Sequence, residues 1–507
     1  MFNLLERFIS KLKLVNKPTF LFYIGVVILI AQRFFHLSNA VEEPMAWRQF
    51  DTEFFAYDFY LNGINLLKPS VCWLGAYKTL ILEFPVVSAF IAVFYFIFGQ
   101  ELMFARIACL ILYLGSVFYL YKSVELLYYK RLARYVTLIY LMTPFSLYYS
   151  RAVHIDFGEM FFALSMLYYF LKGYQDEKYK YIIIGSAFGV LAFLVKAPYV
   201  FYLVIPILYF IIKEKKISFF LKTLPITILP LVTFLIWESY VSKINSNAPD
   251  WFFIPGYFKF TNMSSWYFGS MEQRLVFENW KIIFHRIAES GISYIGVPLF
   301  FLGLVVKPEK GDNNFFYFYL AGLLVYLLIF FNLNLIHDYY QIPFVVITSF
   351  FLGLSIDFIY RKFKKKSETK AIYLTALIII ILVVNCIWFT ERWYYKYDKL
   401  RIAASKQIRE NTEQNRLVIV SIKDTDPRDP RLLAPSYRYG WSIRTDYLKK
   451  DVIEKLILNQ ASYLAIVTED NLNPELARYL NKFHKKEIPI DNGNWKIFIY
   501  NLEQTYK

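Results

Sequence analysis

The chain of 507 residues contains only three cysteines and five histidines. Cys72, Cys109 and Cys386 share no CxxC or other metal-ligand spacing, so neither a disulfide framework nor a zinc knuckle is suggested. There is no GxGxxG or GxxxxGK phosphate loop, so no nucleotide cofactor is expected, and no GxSxG elbow to support Ser-His-Asp catalysis. Charged residues are scarce, at 19% of the chain against about 25% in a typical soluble domain. Repeats of solenoid length and low-complexity tracts are absent. Lys and Arg exceed Asp and Glu by 56 − 40 = 16. The basic residues form short clusters between apolar runs, the pattern of cytoplasmic loops, so no nucleic-acid partner is expected.

What the chain has in excess is apolar and aromatic surface, at 57% and 21% of its residues. A hydrocarbon core of about 30 Å takes a helix of about 20 residues. The apolar runs of that order are 20–37, 102–121, 135–150, 157–171, 181–195, 199–212, 221–240, 291–306, 315–331, 341–360 and 371–390. They make about eleven transmembrane helices of a polytopic α-helical membrane protein. Residues 84–98 are too short to cross comfortably. If they crossed, the basic loop Lys122, Lys130, Arg131, Arg134 would face outward, so they are assigned to a helix in the outer interface. The N-terminus, behind Arg7, Lys11, Lys13 and Lys17, is then cytoplasmic, and the clusters at Lys213–Lys216 and Arg361–Lys366 share its side.

Two segments face outward as long loops, 38–101 and 241–290, the latter aromatic, with Trp251, Lys259, Trp266 and His285. Residues 1–390 form the membrane domain and 391–507 a soluble domain outside. In the latter, Leu417–Ile422, Tyr463–Thr468 and Trp495–Tyr500 read as strands, and 400–410, 449–458 and 474–483 have helical spacing, which predicts a small α/β domain.

Ionisable residues at a membrane boundary are costly and mark function. Four outer loops carry them: the first holds Asp51 and Glu53 in 47–53 and Glu83 before Phe84-Pro85, the second Arg151 with Asp156, the third Lys196 between two apolar runs, and the fourth His337 in His337-Asp338-Tyr339-Tyr340. Acids beside a lone lysine suit transfer of a group from a phosphate-bearing donor: a carboxylate takes the acceptor proton and a cation stabilises the departing phosphate. Each residue also has a structural reading. Asp51, Glu83 and Asp156 can cap helices, Asp156 can pair with Arg151, and Lys196 can snorkel to the headgroups.

The order Trp47-Arg48-Gln49-Phe50-Asp51-Thr52, Glu83-Phe84-Pro85, Arg106, Arg151 with Asp156, Lys196 and His337-Asp338-Tyr339-Tyr340 resembles the bacterial GT-C glycosyltransferases. More narrowly it resembles the family 39 and protein-mannosyltransferase group that includes the aminoarabinose transferase acting on lipid A. The resemblance runs over roughly residues 15–360 and implies a polyprenyl-phosphate sugar donor, inverting transfer to a lipid, glycan or protein acceptor, and a site on the periplasmic side of a bacterial inner membrane. It places the catalytic acid of the first outer loop at Asp51. It leaves Glu83, Arg151, Asp156, Lys196, His337, Tyr339 and Tyr340 as substrate-binding candidates. If a divalent metal takes part, Glu83 and Asp156 are its candidate ligands. In the family an acid pair is usual where Asp51-Thr52-Glu53 stands here, and His-Pro-Pro or Lys-Pro where Phe84-Pro85 stands. The rival from another class is a transporter or flippase for a polyprenyl-linked lipid, which would want ionisable groups at mid-membrane. A phosphoethanolamine-type transferase would want a metal-binding Thr or His cluster in the soluble domain, and His484 is the one histidine of residues 391–507.

Overall fold

Backbone amides in hydrocarbon must be satisfied within their own segment, and the apolar runs accordingly fold as helices. The computed structural model describes residues 17–259, 263–490 and 494–505; the basic residues Arg7, Lys11 and Lys13 lie outside them. The helices that build the site are α1 (Lys17–Gln32), α2 (Ala46–Asn62), α3 (Val86–Phe98), α4 (Leu102–Leu127), α5 (Lys130–Met142), α6 (Asp156–Asp176), α7 (Tyr179–Lys196), α8 (Leu229–Ser246), α9 (Phe315–Ile329), α10 (Phe344–Lys364) and α11 (Glu368–Trp393). Among the described residues, five stretches are long and apolar enough to cross a membrane: α4, α7, residues 217–246, α10 and α11. Four shorter apolar helices, α1, α3, α9 and the stretch 198–213, accompany them. The crossing expected at 291–306 is broken: helices 277–292 and 294–305 meet at 86°, at Ser293, whose φ is 62°.

Polar contacts sort the loops into two groups. At one end Arg131 pairs with Glu309 and Asp357, Arg361 with Asp357, Lys213 with Asp312 and Lys216 with Glu177. At the other end Tyr149 bonds Asp338, Lys196 bonds Asp156, and Asn245 bonds the backbone of Ile81. The grouping is the one the alternating loop charge requires. Helix α3 begins and ends at the second end: Glu83 before it contacts Arg48, and Gln100 after it donates to the Tyr437 hydroxyl at 2.5 Å.

The C-terminal unit is a five-stranded sheet of order β2-β1-β3-β5-β4, with β1 (Leu417–Ile422), β2 (Gly440–Arg444), β3 (Ala461–Thr468), β4 (Phe483–Ile490) and β5 (Trp495–Thr505). Strand β1 runs parallel to β2 and β3, and β5 antiparallel to β3 and β4. Helices Lys399–Asn411, Lys450–Leu458 and Pro474–Leu480 share its core through Ile408, Ile453 and Leu480. Strands β2 and β4 were not expected, and the third helix stops at Leu480 because Phe483 already belongs to β4.

This unit shares its hydrophobic core with the first outer loop. Phe50, Phe54 and Trp73 of that loop, Trp251 of the long outer loop, and Val418, Trp441 and Ile466 of the sheet form one cluster. Backbone bonds reinforce the join: Gly75 N–H donates to Gly440 and Gly440 N–H donates to Cys72, both at 2.8 Å. The apolar floor of the outer loops is therefore fixed to the C-terminal sheet.

Candidate active site

The site begins with the loop that delivers α2. Arg106 Nη1 and Nη2 donate to the carbonyls of Leu37, Asn39 and Ala40 at 2.7, 2.6 and 2.9 Å. Arg151 Nη2 reaches both oxygens of Glu42 at 2.9 Å. All three side chains are buried, so the guanidinium groups serve to hold residues 36–43. Arg151 is thus sealed against Glu42, away from Asp156. Gln49 then ties α2 down by donating to the Glu42 carbonyl at 2.8 Å and to Tyr148 at 2.9 Å.

One face of α2 presents Trp47, Arg48 and Asp51. Arg48 and Asp51 are three residues apart, hence neighbours on a helix surface. Arg48 pairs with Glu83, which aims the guanidinium away from full neutralisation of Asp51. The second oxygen of Glu83, Oε1, is buried without a hydrogen-bond partner. Asp51 is 6% exposed, and the indole N–H of Trp73 donates to its Oδ1 at 3.2 Å. Burial pushes the Asp51 carboxyl up to about 7, against the opposing pull of Arg48 and Trp73. Glu53 faces elsewhere, accepting from Tyr95 at 3.2 Å, so Asp51 and Glu53 make no acid pair.

The second half of the site comes from α6, α7 and the 332–340 loop. Lys196, the last residue of α7, places its Nζ 2.6 Å from Asp156 Oδ1. The ammonium sits 3.8, 4.3 and 4.6 Å from the ring centroids of Tyr340, Tyr199 and Tyr339. A desolvated cation over several ring faces gains on the order of 2 kcal/mol per good contact. Lys196 is therefore caged, 9% exposed, and does not snorkel. Asp156 is also 2.5 Å from His154 Nδ1, and its Oδ1 contacts the Tyr199 hydroxyl. That hydroxyl lies 2.5 Å from the Tyr339 carbonyl, which holds the 338–341 turn to α6.

His337 stacks on Tyr339, with centroids 5.0 Å apart and planes at 17°, and stands 5.7 Å from Trp266. Burial, with the nearby charges of Lys196 and His154, pushes its imidazole down to about 4; it is a neutral hydrogen-bonding group at pH 7. Asp338 accepts from Tyr149 at 2.7 Å, and burial raises its proton affinity. One turn beyond Asp156, Glu159 is fully buried with neither carboxylate oxygen partnered.

The structure thus brings Asp51, Glu83, Asp156, Lys196, His337, Tyr339 and Tyr340 to one end of the bundle and leaves Arg151 outside the group. Sequence reasoning passed over Arg48, Trp73, His154, Glu159 and Tyr199. The spacing of Arg48 to Asp51, of Glu159 to Asp156 and of Tyr199 to Lys196 was the available signal. As a metal site the residues do not fit. Among the described residues no three His, Cys, Asp or Glu side chains converge, and the two candidate ligands, Glu83 and Asp156, are each occupied by a cation of the chain.

Residues 83–237 match the family profile described as dolichyl-phosphate-mannose-protein mannosyltransferase, a stretch that holds Glu83, Asp156 and Lys196. No curated protein matches by sequence. Among solved structures, ArnT from Cupriavidus metallidurans bound to undecaprenyl phosphate is similar over 95% of this chain and 98% of its own, at 12% identity and a TM-score of 0.62. Its apo state gives 0.59 at 11% identity, over 95% and 97% of the two chains. The Archaeoglobus fulgidus oligosaccharyltransferase in complex with Zn and sulfate gives 0.53 at 12% identity, over 95% of this chain and 72% of that one. The chain thus has the fold of ArnT over nearly its whole length, and its residues 83–237 are similar to the mannosyltransferase profile.

Proposed function

We propose that the protein is an integral membrane glycosyltransferase that moves a sugar, with inversion, from a polyprenyl-phosphate donor to a lipid, glycan or protein acceptor on the periplasmic side of a bacterial inner membrane. The observation that carries this reading is the gathering, at one end of the bundle, of a buried carboxyl, Asp51, with two cations held by carboxylates, Arg48 on Glu83 and Lys196 on Asp156. Undecaprenyl phosphate in the similar ArnT structure agrees with such a donor.

Asp51 is the general base. A base is most effective when its pKa lies near the working pH, and desolvation has moved this one there. It takes the proton of the acceptor hydroxyl or amine as that group attacks the anomeric carbon. The sugar–phosphate bond breaks, and the phosphodiester leaves as a monoester with one more negative charge. Lys196, oriented by Asp156 and its three tyrosines, stabilises that charge at a poorly hydrated position, where a preorganised cation is worth far more than in water. Arg48, held by Glu83 and one helical turn from Asp51, supplies a second cation. Neutral His337 and the hydroxyls of Tyr339 and Tyr340 offer hydrogen bonds to the phosphate or sugar.

The test is transfer of radiolabelled sugar from a mixed polyprenyl-phosphate-sugar pool to membrane acceptors by purified protein, with and without Asp51→Asn. The expected result is a loss of about 10²-fold or more with donor binding retained. Equal transfer by both proteins would remove Asp51 as the base. Lipid movement across the bilayer without transfer would favour a transporter.

A further inference from the structure

Between β1 and β2 the chain reads Asp426-Pro427-Arg428-Asp429-Pro430-Arg431, the same tripeptide twice. The two copies fold alike. Asp426 Oδ1 accepts from the Arg428 backbone N–H and from its Nε, both at 3.0 Å. Asp429 Oδ1 accepts from the Arg431 backbone N–H and from its Nε, both at 2.9 Å, and its Oδ2 accepts from Nη2 at 2.7 Å. An aspartate that bonds the backbone two residues on closes a tight local turn, and proline between them fixes φ and lowers the entropy of the free loop. Each aspartate thus also orients the guanidinium of its own turn.

The second turn is anchored to the sheet. Asp429 is buried; its carbonyl accepts from Ser442 of β2 at 2.7 Å and its Oδ2 from Thr425 at 3.0 Å. From this base the two guanidinium groups reach different outer loops. Arg428 lies 3.3 Å from the ring centroid of Phe258 in the long outer loop, beside Gly256, where a Cβ would just touch Pro427. Arg431 lies 5.6 Å from the ring centroid of Trp47, the residue before Arg48 on α2. A planar guanidinium stacks on an aromatic face in a way an ammonium cannot.

We propose that these tandem turns are a clamp by which the C-terminal unit holds the two outer loops over the site, and that Arg428 and Arg431 are positioning residues for the transfer step. The clamp itself stands on the contacts; its consequence for transfer rests on the glycosyltransferase reading above. A displacement of α2 by about 1 Å would misalign Asp51, and errors of that size cost up to about 10²-fold in rate. The second turn meets α2 at Trp47, one helical turn before Asp51.

The test compares the full-length wild type, Arg428→Ala/Arg431→Ala, Arg431→Lys, and the control Arg444→Ala, which breaks an exposed Arg444–Asp446 pair of the same unit. Hydrogen exchange is followed in the peptides covering 45–51 and 250–258. The expected result is faster exchange in both peptides for the double variant, none for the control, and an intermediate effect near Trp47 for Arg431→Lys. Exchange unchanged in the double variant overturns the clamp, whatever reaction the protein performs. With a sugar-transfer assay in hand, the double variant is expected to lose about tenfold or more in kcat while KM for the donor changes little. Faster exchange with unchanged kcat overturns the positioning role and leaves the clamp as a structural contact. Absence of transfer by the wild type counts against the glycosyltransferase reading alone.

Discussion

A carboxyl that must accept a proton near pH 7 cannot sit in water, where it titrates near 4, nor against an unopposed guanidinium, which lowers it further. Asp51 escapes both conditions because it is buried and because Arg48 is drawn to Glu83. The arrangement costs stability. A carboxyl whose proton affinity is higher in the folded than in the unfolded state loses folding free energy as pH rises from its ordinary value, 3.8, to about 7. Asp51→Asn is therefore expected to raise the thermal midpoint at pH 8 and to leave it nearly unchanged at pH 4. The wild-type rate should climb with pH and level off above about 7, and a flat profile from pH 5 to 8 would contradict the base assignment. Lys196 stood out in the sequence because an isolated charge between apolar runs is expensive, and Asp51 because of its outer loop and the motif around it. The opposition of Arg48 and Glu83 did not, since it joins residues 35 apart in sequence. Arg151 was misleading for a related reason: proximity in sequence favoured Asp156, while the fold gives Arg151 to Glu42, 109 residues away.

At the scale of elements, the segment 71–80 carries Trp73, the hydrogen-bond partner of Asp51, and lies along the exposed edge of β2. Unpaired strand edges invite pairing, and here the Cys72 carbonyl and the Gly75 N–H fill that role for Gly440. Gly75 has φ +64°, and a Cβ there would collide with the Trp441 ring. Gly75→Ala should therefore cost about 1–3 kcal/mol from strain and overpacking, read as a lower thermal midpoint. Transfer should fall with it because Trp73 shifts, while donor binding at Lys196 changes less. Equal loss of both would place the effect in global unfolding. Strands β1, β3 and β5 were legible as apolar runs. Strand β4, His484-Lys485-Lys486-Glu487 with Pro489, hides because an edge strand is polar and tolerates proline. Strand β2 hides because Gly440 opens it, where the partner Val418 leaves no room for a Cβ.

At the scale of the molecule, loop charge and loop contact agree. The basic loops 122–134, 213–216 and 361–366 converge on acids at one end, and every site residue except the bridging helices themselves lies at the other. Charge alternation could be read from sequence because the positive-inside bias acts on each short loop independently. The bend at Ser293 was passed over although Glu289, Ser290, Gly291 and Ser293 interrupt the apolar run there, because Gly and Ser are tolerated inside membrane helices. The shared core of the first outer loop and the sheet requires the C-terminal unit to face the same compartment as Asp51, whichever compartment that is. This can be tested with single cysteines, since Cys72, Cys109 and Cys386 are all buried and give little background. In intact cells, a membrane-impermeant thiol reagent added from outside is expected to label Lys482→Cys in the C-terminal unit and to spare Lys365→Cys in the basic loop after α10, which should react only once the membrane is opened. Both positions are exposed, so accessibility within the fold does not separate them. Labelling in the reverse order would invert the whole assignment and place the site in the cytoplasm. Labelling of both would break the parity of crossings between the two positions, and with it the single long helix α11 as a complete span.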